Sequence, residues 1–381
     1  MAKNELNISS LSYSKGLFLS SCIIWWVLFF YVLLHYEPYS FGRYDPGWMI
    51  FTTQSLVEDF DLDLKNQLGG DPSNIGGQIS LGKGGQWYPL HEWLLSLLAV
   101  PFYFLFGVNG TLLCNMVMSF LTGFFIYKVC AEFYSPVISL ISATLTFSSS
   151  MLLHYSYSFS IDVLGVLFFT ISWYMMCQKK WVLAGVWFSL MVMGRNLYVI
   201  VLPAFILYII LSECKNKSLK NFNYLPSIQF LLAGAPLGIL FFFQNYYMFG
   251  SPFTSAYHFW IDYDPLTDQI FTRSHSFDKS FYAGLSEILF SPKNSIWSGI
   301  PLLPLGMIFG VRNLNGKSSP LIYLIFSVIV ILVLFLSLYV NAFPGGVGNR
   351  YLISIVPLSA LLLCGAVESV FQKSYCSLRN E

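Results

Sequence analysis

Charge is what this 381-residue chain has least of. Only 10% of its residues are charged, against roughly 25% in an ordinary soluble protein, and the shortage excludes the two or three soluble domains that length alone suggests. Paired cysteines are missing as well. The seven cysteines keep no regular spacing, so neither a disulfide framework nor a cysteine-based metal motif is written into the chain. Cys22, Cys114, Cys130, Cys177 and Cys364 fall in or beside apolar segments, where a thiol packs as a small hydrophobe. Internal repeats and low-complexity tracts are absent. So are charges at the centres of the apolar segments, which weighs against a transporter or lipid flippase, a class that keeps ionisable groups at mid-membrane and often repeats its halves. No nucleic-acid partner is expected.

What the chain has in abundance is apolar surface: 56% of its residues are hydrophobic and 18% aromatic. Several apolar stretches run about 17 to 22 residues, long enough to cross a hydrocarbon core of roughly 30 Å. The chain therefore reads as an all-α polytopic membrane protein surrounded by membrane lipids, a single transmembrane unit over 1–381. Leu17–Leu34 follows Lys3 and Lys15 but is too long for a signal-peptide core, and Glu37-Pro38-Tyr39 is no cleavage site; it is expected to stay as the first helix. Spans are predicted near 17–35, 109–128, 136–153, 160–177, 181–194, 196–211, 227–247, 297–311, 319–340 and 351–370, roughly ten in all, with orientation set by the positive-inside rule. That assignment keeps Lys128, Lys179, Lys180, Lys215, Lys217, Lys220, Arg312, Lys317, Lys373 and Arg379 inside. It leaves two large outer loops, 36–108 and 248–296. Leu90–Phe106 is apolar, but counting it as a crossing would put the Lys-rich Ser212–Lys220 outside. With His91, Glu92 and Pro101 it is predicted to be a juxtamembrane helix lying in the interface.

The densest acidic cluster falls in "FGRYDPGWMIFTTQSLVEDFDLDLKNQ", Phe41–Gln67. Asp45 followed by Pro46 predicts a helix start, the carboxylate as N-cap and the proline at the first helical position. Met49, Thr53, Leu56 and Phe60 then line one face of an amphipathic helix. Asp45 is thus a cap, or a general base placed where a lipid-borne substrate presents its head group. Glu58, Asp59, Asp61 and Asp63 read as a solvated helix end and turn. Asp162 begins the span "IDVLGVLFFTISWYMM", and an ionisable residue at such a boundary is either functional or stabilised by the helix N-terminus. Lys83 sits in a glycine-rich turn between short strands. Arg195 interrupts two apolar helices, and Arg350 lies in "FPGGVGNRYL"; a guanidinium there suits a phosphate, which it grips with two parallel hydrogen bonds, or else reaches to the interface. His91, His154 and His258 have no metal-ligand spacing.

Taken in order, "YDPGWMIFTTQSLVEDFDLDLKNQ", "GKGGQWYPLHEWLLSLLAVPFYFLFG", "MGRNLYVIVLP", "FGSPFTSAY", "LFSPKNSIWSGIPLLPLG" and "GNRYLISIVPLSALLL" resemble the GT-C superfamily of integral membrane glycosyltransferases. The likeness is greatest to bacterial relatives of the protein O-mannosyltransferases and the lipid A aminoarabinose transferases. It runs from about residue 17 to 366 and implies a GT-C-type helical bundle with juxtamembrane helices in its first outer loop. The activity implied is inverting transfer of a sugar from a polyprenyl-phosphate donor to a glycan, lipid or protein acceptor, at the periplasmic or exterior face of a bacterial inner membrane. By resemblance Asp45 takes the place of the catalytic base and Asp162 that of a second acidic residue. Arg350, Arg195 and Lys83 take the place of the cations on the carrier phosphate. Apart from the resemblance, Tyr44, Tyr88, His91, His154 and Tyr257 are expected to line the substrate. Proline follows Asp45 where relatives often carry a second acid, and no counterpart of the C-terminal soluble domain of some relatives is expected. A divalent metal ion is left open as a cofactor, since no ligand set is evident. The alternatives are a polymerase or ligase of lipid-linked glycans, which shares the large outer loops, and a transporter or flippase.

Overall fold

The computed structural model describes residues 45–214, 223–273, 279–339 and 348–378; the predicted first span and Tyr44 lie outside them. Helix α1, Asp45–Glu58, carries Pro46 in its first turn, where the missing N–H costs nothing. It buries Trp48, Met49, Thr52 and Thr53. The inward face is therefore wound from the predicted one. Met49 and Thr53 are buried and Leu56 half-buried, but Phe60 lies past the helix end at φ 60° and is 87% exposed. The acidic turn that follows is more than a solvated end. Asp61 Oδ1 accepts from Ser55 Oγ (2.9 Å), and Asp63 Oδ1 accepts from the Lys65 and Trp87 N–H groups (3.1 and 2.9 Å), so Asp63 clamps this turn to the strand that begins at Trp87.

That strand closes the predicted glycine-turn hairpin, β1 (Ile79–Leu81) and β2 (Trp87–Pro89), paired antiparallel. Helix α2, Leu94–Phe106, has 13 residues, roughly 20 Å at 1.5 Å per residue, too short for the hydrocarbon core. Next come α3 (Val108–Ala131), α4 (Pro136–Ser149), α5 (Met151–Ser156), α6 (Ile161–Cys177), α7 (Trp181–Gly194), α8 (Leu202–Cys214) and α9 (Leu225–Phe249). The second loop holds β3 (Trp260–Asp264), β4 (Gln269–Thr272) and α10 (Phe281–Phe290). The chain ends in α11 (Ile296–Gly299), α12 (Leu303–Leu305), a π turn, α13 (Val311–Lys317), α14 (Ser319–Leu338) and α15 (Ile355–Leu378). The strands form one antiparallel sheet, order β2-β1-β3-β4, with Ile79 opposite Ile261. The two predicted loops are thus knit together by backbone pairing.

Among the described residues, α3, α9, α14 and the run Asn196–Cys214 are long and apolar enough to cross a membrane. The remaining predicted spans in this region are shorter or broken: 136–153 breaks at Ser150, 181–194 is a 14-residue helix, and 297–311 is divided among α11, α12 and the π turn. Breaks inside a bundle are tolerated where neighbouring groups take up the freed backbone, and the one after Gly194 carries a site residue, Arg195.

Helix α6 forms the centre, buried at every residue from Ile161 to Trp173. Helix α14 shows how an all-apolar helix chooses its faces. Leu321, Leu324, Ile325, Val328, Leu332 and Leu336 are wholly buried, whereas Tyr323, Val330 and Leu334 are exposed; the helical period separates a packing stripe from a lipid-facing one. Helix α15 is held close by small residues. A Cβ on Gly310 would sit 1.8 Å from the Leu362 carbonyl oxygen, so Gly310→Ala must push two backbones apart. We expect that change to cost roughly 3 kcal/mol, the upper end for overpacking, read as a lowered unfolding temperature in detergent.

Candidate active site

Asp45 is positioned by the seating of α1 on α2, where Ser96 Oγ donates to the Met49 carbonyl (3.0 Å). His91 stands in the short link between β2 and α2, with the Leu90 N–H extending the hairpin ladder to the Gln78 carbonyl (3.0 Å). Asp162 owes its place to Asn115 on α3. The Asn115 amide donates to the Tyr155 and Ser156 carbonyls (2.8 and 3.0 Å) and accepts from the Ser160 N–H (3.3 Å), so one side chain bridges the gap between α5 and α6. Arg195 occupies the break after α7 in an extended conformation. The backbone there is rescued from the first loop: Glu92 Oε1 accepts the Asn196 N–H at 3.0 Å. Arg350 opens a 3-10 turn, Arg350–Leu352, capped by the Asn349 side chain on the Tyr351 N–H (3.1 Å). Gly348 precedes it at φ 67°, with room for a Cβ denied by Gly299 Cα at 2.6 Å, which explains the glycine of "GNRYL".

These five breaks and helix starts converge. Arg350 is ion-paired to Asp45, and its Nε lies 3.8 Å from Asp162 Oδ2. Arg195 Nε pairs with Asp162 Oδ1 at 3.1 Å, and His91 Nε2 stands 3.4 Å from Asp45 Oδ1. Ser160 Oγ donates to Asp162 Oδ2 (3.3 Å), and the Tyr257 hydroxyl meets His91 Nδ1 (3.3 Å). The result is an alternating row, His91, Asp45, Arg350, Asp162, Arg195. The Tyr351 ring lies under both guanidiniums, 4.8 Å from Arg195 and 5.5 Å from Arg350, an arrangement that favours cations. Asp162 and Arg195 are sealed, while Asp45 and Arg350 retain 20% and 16% side-chain exposure. Burial by itself raises the Asp45 carboxyl. The charges and hydrogen bonds of His91 and Arg350 outweigh it and hold the group well below the usual carboxylate range, as an ion-paired acid should be.

Of the residues singled out from the sequence, Asp45, Asp162, Arg350, Arg195, His91 and Tyr257 come together. Lys83, Tyr88 and His154 do not join them. Lys83 Nζ lies over the Tyr246 ring (5.6 Å), Tyr88 packs against Met248 and Phe249, and His154 packs against Tyr155 and Tyr157. Tyr44 is outside the described residues. The N-cap expected of Asp45 is replaced: among the described residues its carboxylate goes to His91 and Arg350, and no backbone N–H of α1 is recorded on it. Sequence reasoning missed Asn115, Tyr351 and the structural use of Glu92. An asparagine in the apolar run 109–128 was the available signal for the first.

Two cavities lie nearby, the first of them lined by Arg195 of the row. One, about 610 Å³, is lined by Glu92, Arg195, Tyr257, Arg273, Tyr339 and Tyr351 among others. The other, about 550 Å³, is an apolar groove between α7 and α9 walled by Phe188, Phe230 and Phe241. They share Asn196, Val199, Ser255, Tyr257 and His258. Among the described residues no three His, Cys, Asp or Glu side chains gather as metal ligands.

Fold and site define a class: an integral membrane protein, all-α apart from one small sheet, with a buried carboxylate–guanidinium row beside its two loops. Over part of its length and in its fold, the chain is similar to integral membrane glycosyltransferases of the GT-C superfamily. Residues 88–239 match the family model described as dolichyl-phosphate-mannose-protein mannosyltransferase, a stretch that holds His91, Asp162 and Arg195. The fold is similar to the crystal structure of ArnT from Cupriavidus metallidurans in the apo state, with TM-score 0.55 and 11% sequence identity over 97% of this chain and 62% of that one. The chain thus spans about three fifths of that protein's length. No curated protein sequence matches.

Proposed function

We propose that this protein is an inverting glycosyltransferase that moves a sugar from a polyprenyl-phosphate donor to a hydroxyl of a glycan, lipid or protein acceptor, at the outer face of a bacterial inner membrane. The observation that carries the reading is the contact between Asp45 and Arg350 at the least buried part of the row. A base for the acceptor and a cation for the leaving group stand side by side there.

In the reaction the acceptor oxygen bonds to the anomeric carbon as the bond from that carbon to the phosphate oxygen breaks. The acceptor proton passes to Asp45, and the carrier leaves as polyprenyl phosphate. During this step the carrier changes from a diester with one negative charge to a monoester with nearly two. Arg350, held between Asp45 and Asp162, is drawn toward that growing charge. As its grip on Asp45 loosens, the carboxylate regains the basicity that the ion pair suppresses. Asp162 and Arg195 act from behind, keeping the Arg350 fork in register. The isoprenoid tail fits the apolar groove between α7 and α9. Inversion requires the base on the acceptor side and the cation on the carrier side of the anomeric carbon, an arrangement that Asp45 and Arg350 reach as their ion pair opens.

The test is transfer by the purified protein in lipid nanodiscs. Radiolabelled sugar is expected to move from polyprenyl-phosphate donors, and not from nucleotide sugars, to an acceptor fraction extracted from cell envelopes. Transfer from a nucleotide sugar would refute the donor class.

A further inference from the structure

We infer that the 610 Å³ cavity beside Arg195 is the sugar subsite of the donor and that Glu92 is the residue which reads the sugar. This rests on the lipid-linked donor proposed above. It departs from the sequence-based expectation that Arg195 binds the carrier phosphate.

Charge bookkeeping within the cavity decides against a phosphate. Arg195 is already matched by Asp162 (3.1 Å). Arg273, the other guanidinium on the wall, is ion-paired to Asp262 and lies over the Trp260 ring at 5.1 Å. Glu92 makes no ion pair among the described residues and acts on Arg195 only through space, so Arg195 answers to two carboxylates, Asp162 and Glu92, and this part of the wall holds more negative than positive charge. A phosphate entering it would meet a carboxylate of its own sign in a poorly screened place.

Two orphaned polar atoms say what fits instead. Glu92 Oε1 is used by the Asn196 N–H, but Oε2 is buried and has no hydrogen-bond partner. Arg195, 3% exposed, has a buried Nη1 that also lacks one. Buried polar groups are nearly always satisfied; both residues line the cavity, and a small side-chain rotation would turn the unmet acceptor and the unmet donor toward a ligand offering both. Sugar hydroxyls both donate and accept. The walls supply the rings of Tyr257, Tyr339 and Tyr351, against which the apolar face of a pyranose can lie. The subsite also stands two contacts from the proposed base, because Tyr257 on its wall touches His91 and His91 touches Asp45.

The experiment compares equilibrium binding of bare polyprenyl phosphate with that of its glucose, galactose and mannose conjugates, to wild type and to Glu92→Gln in nanodiscs. Glutamine keeps the acceptor for the Asn196 N–H and loses the charge-assisted bond to a hydroxyl. Wild type is expected to bind at least one conjugate more tightly than bare carrier. Glu92→Gln is expected to weaken that conjugate roughly tenfold, the scale of one hydrogen bond to a charged group, while bare carrier binds as before. If both ligands weaken equally, Glu92 acts only through the backbone at Asn196 and the inference is wrong. Unchanged binding of every conjugate overturns it as well. Failure of wild type to bind bare carrier or any conjugate sinks the donor reading itself, and is visible before any variant is made.

Discussion

Asp45→Asn is expected to lower sugar transfer roughly a thousandfold, within the range for loss of a general base, and to leave the protein folded. Asparagine keeps one oxygen for Arg350 and turns its NH2 to His91 Nε2, which accepts it in the tautomer protonated on Nδ1; Arg350 remains beside Asp162, so the row closes around the change. What disappears is a group able to take the acceptor proton. The measurement is single-turnover transfer by variant and wild type, matched for melting temperature; a rate within tenfold of wild type would reduce Asp45 to a structural ion pair. A pH dependence follows from the same contacts. The folded-state pKa of Asp45 lies below its ordinary 3.8, so on acidification the unfolded chain takes up the proton first. The stability contributed by this carboxylate is whole above about pH 4 and drains away below it. The wild-type unfolding temperature should therefore fall more steeply below pH 4 than that of Asp45→Asn, with the two curves converging in acid.

Arg195→Met is expected to destabilise the protein by about 3 to 5 kcal/mol, the cost of leaving one member of a buried pair without its partner. Methionine approximates the stem but strands Asp162, whose side chain is 1% exposed, with only Arg350 at 3.8 Å and the Ser160 hydroxyl for compensation. Adding Asp162→Asn should restore a large part of the loss, because two neutral side chains bury more easily than one unmatched charge. Thermal unfolding of wild type, both single variants and the double variant completes the cycle. A single-variant loss under about 1 kcal/mol would mean that water or a lipid head group solvates Asp162.

The candidate residues were legible because they stand out. In a chain with so few charges, an aspartate at the head of an apolar helix or an arginine between two helices is visible at once. The glycine-rich turn likewise announced the β1–β2 hairpin. The partnerships were not legible. Nothing local to Asp45 says that its carboxylate will turn to Arg350 rather than cap its own helix, and Lys83 has the same chemistry on paper as Arg350 yet ends over Tyr246. The pairing of the two loops was hidden too, since strands of three to five residues carry too little alternation to be read. Phe60 was assigned inward by helical period, but the helix ends at Glu58 and a positive φ turns the chain outward.

Span boundaries failed for a related reason. Hydropathy sees apolar continuity through Ser150, and it does not see that Asn115 or Glu92 will supply hydrogen bonds to backbone interrupted nearby. Composition and period are sums over neighbouring residues, so the sequence by itself determined the membrane class, the order of the apolar helices and a short roster of ionisable suspects. Which suspects meet, which stay apart and which charge is left over are settled by packing helices from both ends of the chain around α6. Desolvation and ion pairing act through space, and they exist only once those helices are in place.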